Sequence, residues 1–285
     1  MSLVAWLSTP FGYPFMLRAL IASVLVGGLC AVVGSYVVLR SMAFLGDALA
    51  HSVLPGVAVG FLVSGRGDRH GLFWWALGTA VAVSLGVGWI SNKGRIKEDT
   101  AIGIVFAGMF ALGIALISTV RGFAVDLVHF LFGNVLGVSM WHVWTIVAFG
   151  GAVLLLIALF YKEFLIVSFD PTLAVTLRLP TSFYRYLLLV LIAVTVAVSL
   201  QTVGLGLMLA MLITPATSAY LLTRRLSSMM LVGAVLGAAS SVAGLYLSFY
   251  FGIASGAAIV LVSIAFFLLA LLFSPSRGVL RRLVH

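Results

Sequence analysis

Two ionisable side chains, Asp47 and His51, interrupt an otherwise apolar stretch that runs from Ser41 to Phe61. They are four residues apart, so on a helix they lie on one face, one turn from each other. Counted from Arg40 at ~1.5 Å per residue, Asp47 lies ~10 Å and His51 ~16 Å along the helix axis. If Arg40 marks the edge of a ~30 Å hydrocarbon core, His51 lies near its midplane. Ionisable groups at that depth are unfavourable unless they are paired, hydrated or metal-bound, so the pair indicates a functional site.

The chemistry that suits this pair is coordination of a divalent metal ion, because carboxylate and imidazole are both metal ligands. Pro55 has no N–H to donate to the carbonyl of His51, so it predicts a broken helix that frees this carbonyl at the same depth. Two side chains do not close a metal site. Either another segment contributes, or a second copy around a two-fold axis doubles the ligands. The alternative without a metal is a hydrogen bond between Asp47 and His51 inside a packed bundle.

The composition places this stretch in a polytopic membrane protein. The chain has 285 residues, of which 63% are hydrophobic and 8% charged, and its mean hydropathy is +1.27. These values exclude a soluble domain, and the long uncharged runs exclude an outer-membrane barrel, whose strands alternate. We predict nine spans, at about 15–39, 42–64, 72–91, 101–120, 142–161, 184–202, 204–223, 229–250 and 256–274. The turn Val203-Gly204 is so tight that one of the two spans beside it could be re-entrant, which would give eight spans.

The basic residues are distributed unequally between the two ends of these spans. Twelve of the sixteen fall on one side, namely Arg40, Lys93, Arg95, Lys97, Lys162, Arg178, Arg185, Arg224, Arg225, Arg277, Arg281 and Arg282. The positive-inside rule makes that side cytoplasmic, with the N-terminus outside and the C-terminus inside. The net charge of +9 therefore comes from basic residues in short loops between the spans, next to membrane lipid. It does not indicate a nucleic-acid partner.

The longest cytoplasmic loop contains a helix-start signal, Asp170-Pro171. An acid at the N-cap followed by proline at the first helical position predicts a short helix. We expect it to cover Thr172 to Leu179 and to end at Pro180. A short cytoplasmic helix between two spans is a docking element for a soluble partner, unless it is only a surface turn.

Two further groups of polar residues lie at the ends of spans. In the outer loop, Asp126 and His129 stand three residues apart, which is either ordinary loop polarity or a transient metal contact at the outer mouth. At the start of the fourth span, Asp99 or Thr100 is expected to cap the helix, and the acids Glu98 and Asp99 suit the positive end of its dipole.

Four motifs are distributed over nearly the whole chain: Gly46–Gly56, Glu98–Ile104, Phe130–Val138 and Asp170–Pro180. Together they resemble the metal-ion permease family of ABC importers, the membrane subunits that carry manganese, zinc or iron. The third motif is similar to the manganese-type branch. Two departures occur: Ala50 and Ser52 exchange the usual Ser and Ala beside His51, and Arg178 replaces an expected glycine.

By this resemblance, the metal ligands are Asp47 and His51. The resemblance also implies a cytoplasmic coupling helix, about residues 170–180, that contacts a separate ATPase and includes Asp170, Pro171, Ala174, Arg178 and Pro180. The expected fold is an all-α, polytopic bundle of 8–9 transmembrane helices with a broken second span. Residues 1–285 are expected to form a single transmembrane permease domain.

The resemblance implies a transmembrane subunit of an importer for divalent metal ions, with manganese first and zinc or ferrous iron next. The ion is cargo, and no permanently bound cofactor is expected. The expected partners are a second permease subunit in a homodimer, a cytoplasmic ABC ATPase dimer and an extracytoplasmic metal-binding protein. The expected location is the prokaryotic cytoplasmic (inner) membrane.

The sequence weighs against enzymatic activity in this chain itself. It contains no GxxxxGK[ST] loop for ATP and no HExxH motif of a zinc protease. The alternative function is a secondary metal transporter coupled to an ion gradient. Such carriers use several intramembrane acids, whereas six of the seven acids here lie in or beside loops and Asp47 is alone.

Overall fold

A computed structural model describes residues 12–64, 69–119 and 135–274 of the chain. All regular elements in these ranges are helical. The α-helices are α1 (Pro14–Leu39), α2 (Phe44–Ser52), α3 (Leu54–Ser64), α4 (Arg69–Gly94), α5 (Glu98–Ser118), α6 (Met140–Thr145), α7 (Gly151–Leu159), α8 (Tyr161–Phe169), α9 (Pro171–Thr176), α10 (Thr181–Val203), α11 (Leu205–Leu222), α12 (Leu226–Phe251) and α13 (Ser255–Phe273). A 3₁₀ turn covers Val135–Gly137, and a π-helical turn, Ile146–Gly150, joins α6 to α7.

Within the described ranges, nine helical stretches are long and apolar enough to cross a membrane, as predicted. The second span combines α2 and α3, and the fifth runs from α6 through the π-helical turn to α7. The sixth and seventh spans, α10 and α11, are 23 and 18 residues long and are separated by Gly204 alone. Gly204 has φ of 82°, a conformation that glycine adopts without the steric penalty of a Cβ. Both helices are therefore long enough to span, and the nine-span prediction fits better than the eight-span alternative.

The predicted break in the second span is a one-residue interruption at Val53. This residue keeps right-handed helical dihedrals, with φ of −74° and ψ of −20°. Its N–H donates to the Leu49 carbonyl at 3.2 Å, and its own carbonyl accepts from the Val57 N–H at 3.1 Å. Pro55 supplies no N–H, so one backbone hydrogen bond of the second span is missing. The backbone of this span otherwise continues as a helix.

Contacts within the chain cluster into two compact units. The described part of the first unit comprises residues 12–35, 135–150 and 202–274. In it, α11, α12 and α13 pack on one another. Gly27 and Gly237 allow α1 and α12 to approach closely, since a Cβ added to Gly237 would lie 2.6 Å from the Gly27 carbonyl oxygen. Ser241 donates a hydrogen bond to the Ser23 carbonyl at 2.9 Å across the same contact.

The described part of the second unit comprises residues 36–64, 69–119 and 151–201. Helices α2 to α5 pack together there, with Leu45, Leu49 and Ile102 fully buried. α5 passes close to the interruption of the second span, because a Cβ added to Gly113 would lie 3.1 Å from the Cδ of Pro55. This unit carries Asp47 and His51 as well as the loop that contains α9. The prediction of a single domain over the whole chain stays a prediction.

Candidate functional site

The structure brings Asp47 and His51 together on α2. The Nε2 atom of His51 lies 3.5 Å from Oδ1 of Asp47, and about a third of the Asp47 side chain and a quarter of the His51 side chain are exposed. The other ring nitrogen, Nδ1, is buried and has no hydrogen-bond partner among the described residues. The pair thus presents one oxygen and one nitrogen donor to the same accessible space.

The separation of these two donor atoms is longer than a usual direct hydrogen bond and is compatible with a shared metal ion. Hydrogen bonds between nitrogen and oxygen are usually shorter, near 2.9 Å. Two ligands that each lie ~2.1 Å from one ion, at an angle of ~109° to each other, are separated by ~3.4 Å. The observed 3.5 Å is close to that value. No described group of three or more His, Cys, Asp or Glu residues could hold a metal, so these two side chains supply only part of a coordination shell.

Two phenylalanines of α5 form a wall beside the His51 ring. The ring centroid of His51 lies 5.6 Å from that of Phe110 and 6.1 Å from that of Phe106, both in edge-to-face geometry. Phe106 and Phe110 stack on each other, and Phe44 packs edge-on against Phe106. Neither phenylalanine was predicted from the sequence to lie at the site. The signal available was their four-residue spacing, which places both rings on one face of the fourth span.

A second polar cluster involves Glu98, and it corrects the prediction of a capping role at the start of α5. The N-cap is Lys97 and makes no side-chain capping hydrogen bond, so neither Asp99 nor Thr100 caps this helix. Instead, Glu98 pairs with Arg40 at 3.0 Å and with Arg185. Arg40, Glu98 and Arg185 lie far apart in the sequence. The only local signal at Glu98 was its position in the first turn of a predicted helix.

The electrostatics of this cluster follow from its partial burial. The side chains of Arg40, Glu98 and Arg185 are 12%, 18% and 25% exposed. Burial is the largest influence, and it lowers the pKa of the Arg40 guanidinium. The Glu98 carboxylate acts in the opposite direction and raises this pKa, while the positive charge of Arg185 lowers it. Arg185 also donates to the Ser91 hydroxyl at 2.6 Å, which ties α10 to the end of α4.

The short helix predicted after Asp170 is present as α9, but it is shorter than expected. It covers Pro171–Thr176 and does not extend to Leu179. As predicted, Asp170 is the N-cap, and its Oδ1 accepts a hydrogen bond from the Leu173 N–H at 2.9 Å. Ala174 is fully buried, while the apolar side chains of Leu173, Val175 and Leu177 are 45%, 66% and 53% exposed. Ala174 therefore anchors α9, and three apolar side chains in and next to this helix are exposed.

Arg178 explains where α9 ends. It adopts φ of 54°, the left-handed conformation that glycine favours. Its N–H bonds the Val175 carbonyl and the Leu179 N–H bonds the Ala174 carbonyl, both at 3.0 Å. This pair of bonds is a Schellman motif. The arginine thus occupies the conformation expected of the glycine it replaces. Pro180 stands two residues after Arg178. The remaining predicted contacts, Asp126 and His129, lie outside the described residues.

Comparison with known proteins places the chain in a family. The family model described as "ABC 3 transport family" matches residues 12–274. The chain belongs to the ABC 3 transport family. The manganese transport system membrane protein MntC of Halalkalibacterium halodurans is 46% identical over 270 residues, which cover 95% of this chain and 91% of that protein. A probable iron transport system membrane protein of Haemophilus influenzae is 38% identical over 276 residues, 96% of this chain and 95% of that one.

A solved structure has the same fold. In PsaBC from Streptococcus pneumoniae in complex with Fab, the matching chain has a TM-score of 0.83 and 37% sequence identity, and 99% of each chain is covered. This ABC 3 family chain is therefore a multi-pass permease subunit of a prokaryotic ABC importer and is not itself a catalytic subunit. The alternative of an ion-gradient-coupled carrier receives no support from these relatives.

Proposed function

We propose that this permease carries a divalent metal ion, with manganese as its cargo, and that Asp47 and His51 bind the ion during passage. The observation that carries the proposal is the 3.5 Å separation of one oxygen and one nitrogen donor on a membrane span. A carboxylate and an imidazole within a membrane span have no other evident role, and these two types of donor suit manganese, ferrous iron and zinc.

The remaining ligands come, in this proposal, from a second copy of the chain. Two copies around a two-fold axis supply two carboxylates and two imidazoles, and water completes the shell. The buried Nδ1 of His51 is then the protonated nitrogen, because Nε2 must be free to bind the ion. A homodimer is the simplest assembly with this property.

Manganese is preferred on the names of the relatives and not on the donor separation. MntC is named for manganese, and the Haemophilus influenzae relative is named for iron. Intrinsic affinity rises from manganese through iron towards zinc, so a manganese importer must select by geometry and by delivery. Delivery implies an extracytoplasmic metal-binding protein as a partner.

The test is uptake by the reconstituted complex of two permease copies, an ABC ATPase and the binding protein. Each ion is supplied at the same free activity, and accumulation inside the vesicles is measured. We expect manganese to be transported at the highest rate. Full turnover with zinc while manganese is ignored would overturn the choice of cargo.

We further propose that α9 couples this chain to a separate cytoplasmic ATPase. A helix anchored by buried Ala174, with Leu173, Val175 and Leu177 exposed, offers an apolar surface of the kind that a protein partner covers. Val175→Asp should uncouple ATP hydrolysis from transport, whereas Thr172→Asp adds the same charge at an exposed polar position and should not. If crosslinkers attached at residue 175 never reach the ATPase, this assignment is wrong.

The proposed orientation puts α9 in the cytoplasm and the N-terminus outside, as the distribution of basic residues predicts. Asp126 and His129 then belong to the outer side, where we propose a transient contact with the incoming ion. A cysteine introduced at position 175 should react with a membrane-impermeant thiol reagent only in inverted vesicles, with Cys30→Ser as the background.

A further inference from the structure

A polar cavity of about 400 Å³ lies in the second unit, away from Asp47 and His51. It is formed where five helices begin or end: after α1, at the end of α4, at the start of α5, near the end of α8 and at the start of α10. The residues that matter for its chemistry are Arg40, Arg95, Arg185, Glu98, Asn92 and Ser182.

The charges around this cavity do not balance. Three guanidinium groups line it together with one carboxylate, that of Glu98. Glu98 is already paired with Arg40 and Arg185. Arg95 forms no ion pair among the described residues, and Nη1 of Arg40 is buried without a hydrogen-bond partner. The lining therefore has an excess of two positive charges and an unused donor.

The arrangement differs from ordinary loop basicity. Exposed lysines such as Lys93 and Lys97 also lie in this region, but neither lines the cavity. Here three guanidinium groups line one partly open cavity, with the amide of Asn92 and the hydroxyl of Ser182 as further donors. Planar guanidinium groups offer two parallel N–H donors, a geometry that matches phosphate oxygens.

We propose that this cavity binds a phosphate group, carried either by an anionic phospholipid headgroup or by free phosphate. Arg95 supplies the guanidinium that has no carboxylate partner, and Asn92 and Ser182 complete the donor set. Glu98 stays with Arg40 and Arg185 and does not contact the ligand, because two anions would repel each other. A bound phosphate would contact both the end of α4 and the start of α10. It would so stabilise the position of α10, the helix that follows α9.

The test compares two variants of the purified full chain in bilayers of zwitterionic lipid. Arg95→Gln removes the unpaired guanidinium, and Arg95 is exposed, so the fold should tolerate the change. Lys93→Gln is the matched control, since it removes one positive charge from the same helix end outside the cavity. In one arm the probe is radiolabelled inorganic phosphate. In the other arm the probe is phosphatidylglycerol, counted as lipid retained on the protein by native mass spectrometry.

We expect Arg95→Gln to weaken binding by about tenfold in at least one arm, as the loss of one charge-assisted hydrogen bond predicts, and Lys93→Gln to leave it unchanged. Loss in the lipid arm alone identifies a headgroup site, and loss in the phosphate arm identifies a site for the free ion. The proposal is overturned if neither probe binds in a way that depends on Arg95. It is equally overturned if Arg95→Gln weakens only capture of the ATPase, because the cavity would then receive an acidic protein side chain. Neither result bears on the metal site.

Discussion

Replacement of Glu98 by glutamine removes the carboxylate that holds two arginines together. In the structure, Glu98 contacts Arg40 with both carboxylate oxygens, at 3.0 and 3.4 Å, and also pairs with Arg185. Glu98→Gln keeps the size of the side chain but leaves the two guanidinium groups next to each other without a counter-charge. The variant should therefore be destabilised by charge repulsion as well as by the lost ion pairs.

The size of the effect follows from the burial of the cluster. Breaking a fully buried ion pair by removing one partner destabilises a protein by about 3–5 kcal/mol, and an exposed pair contributes only about 0–1 kcal/mol. The three side chains here are between 12% and 25% exposed, which places Glu98→Gln at about 2–4 kcal/mol. At about 2–4 °C per kcal/mol, a loss of about 3 kcal/mol lowers the apparent melting temperature by about 6–12 °C.

The assay is thermal unfolding of the purified permease at one fixed heating rate and detergent composition. Asp99→Asn is the matched control, because Asp99 is the next residue, is exposed and is acidic like Glu98. It should shift the melting temperature by about 3 °C or less, since it changes only the interaction with the helix dipole. The double variant Glu98→Gln, Arg40→Gln should lose less than the sum of the single changes, because it also relieves the repulsion. Equal melting temperatures for Glu98→Gln and Asp99→Asn would show that the ion pairs of Glu98 do not stabilise the fold.

Three other substitutions test local features of the second unit. Phe110→Leu removes a ring beside His51 and should raise the KM for the metal more than it lowers kcat; an unchanged KM would contradict a positioning role. Arg178→Gly should relieve the strain of the left-handed conformation by about 1 kcal/mol and slow hydrogen exchange at the end of α9 about fivefold. Arg178→Ala should not slow the exchange, because alanine also has a Cβ. Equal exchange rates in both variants would count against the strain. Gly113→Ala should impair folding or transport, because its Cβ would meet Leu54 at 2.8 Å, whereas Gly108→Ala has open space and should be neutral; equal effects of the two would be inconsistent with the close helix contact.

The span count and the break in the second span were predictable from the sequence because they depend on local properties. Uninterrupted apolar length defines a span, and Pro55 removes a backbone donor wherever it stands. The Asp47–His51 pairing followed from helical spacing alone. The N-cap role of Asp170 was likewise visible, since its partner, the Leu173 N–H, is three residues away.

The contacts that the sequence did not reveal join residues that are far apart in the chain. Arg40 and Glu98 are separated by 58 positions, and nothing local shows that two helix ends meet there. The wall formed by Phe106 and Phe110 was hidden for a different reason. Phenylalanines are common in any membrane span, so their role depends on which helix faces His51. The end of α9 was misjudged because the glycine expected at position 178, the usual sign of a left-handed helix end, is an arginine in this chain.

The proposed function depends above all on passage of the ion through the pair Asp47 and His51. The most direct measurement is manganese uptake by vesicles that contain the complete complex, with Asp47→Asn, His51→Gln and the control Asp99→Asn compared at equal amounts of assembled protein. We expect each of the first two variants to lose uptake by at least about 100-fold, more than the loss of an outer-shell partner would cause, while the control transports normally. Uptake at the full rate by a chain that lacks both side chains would contradict the account.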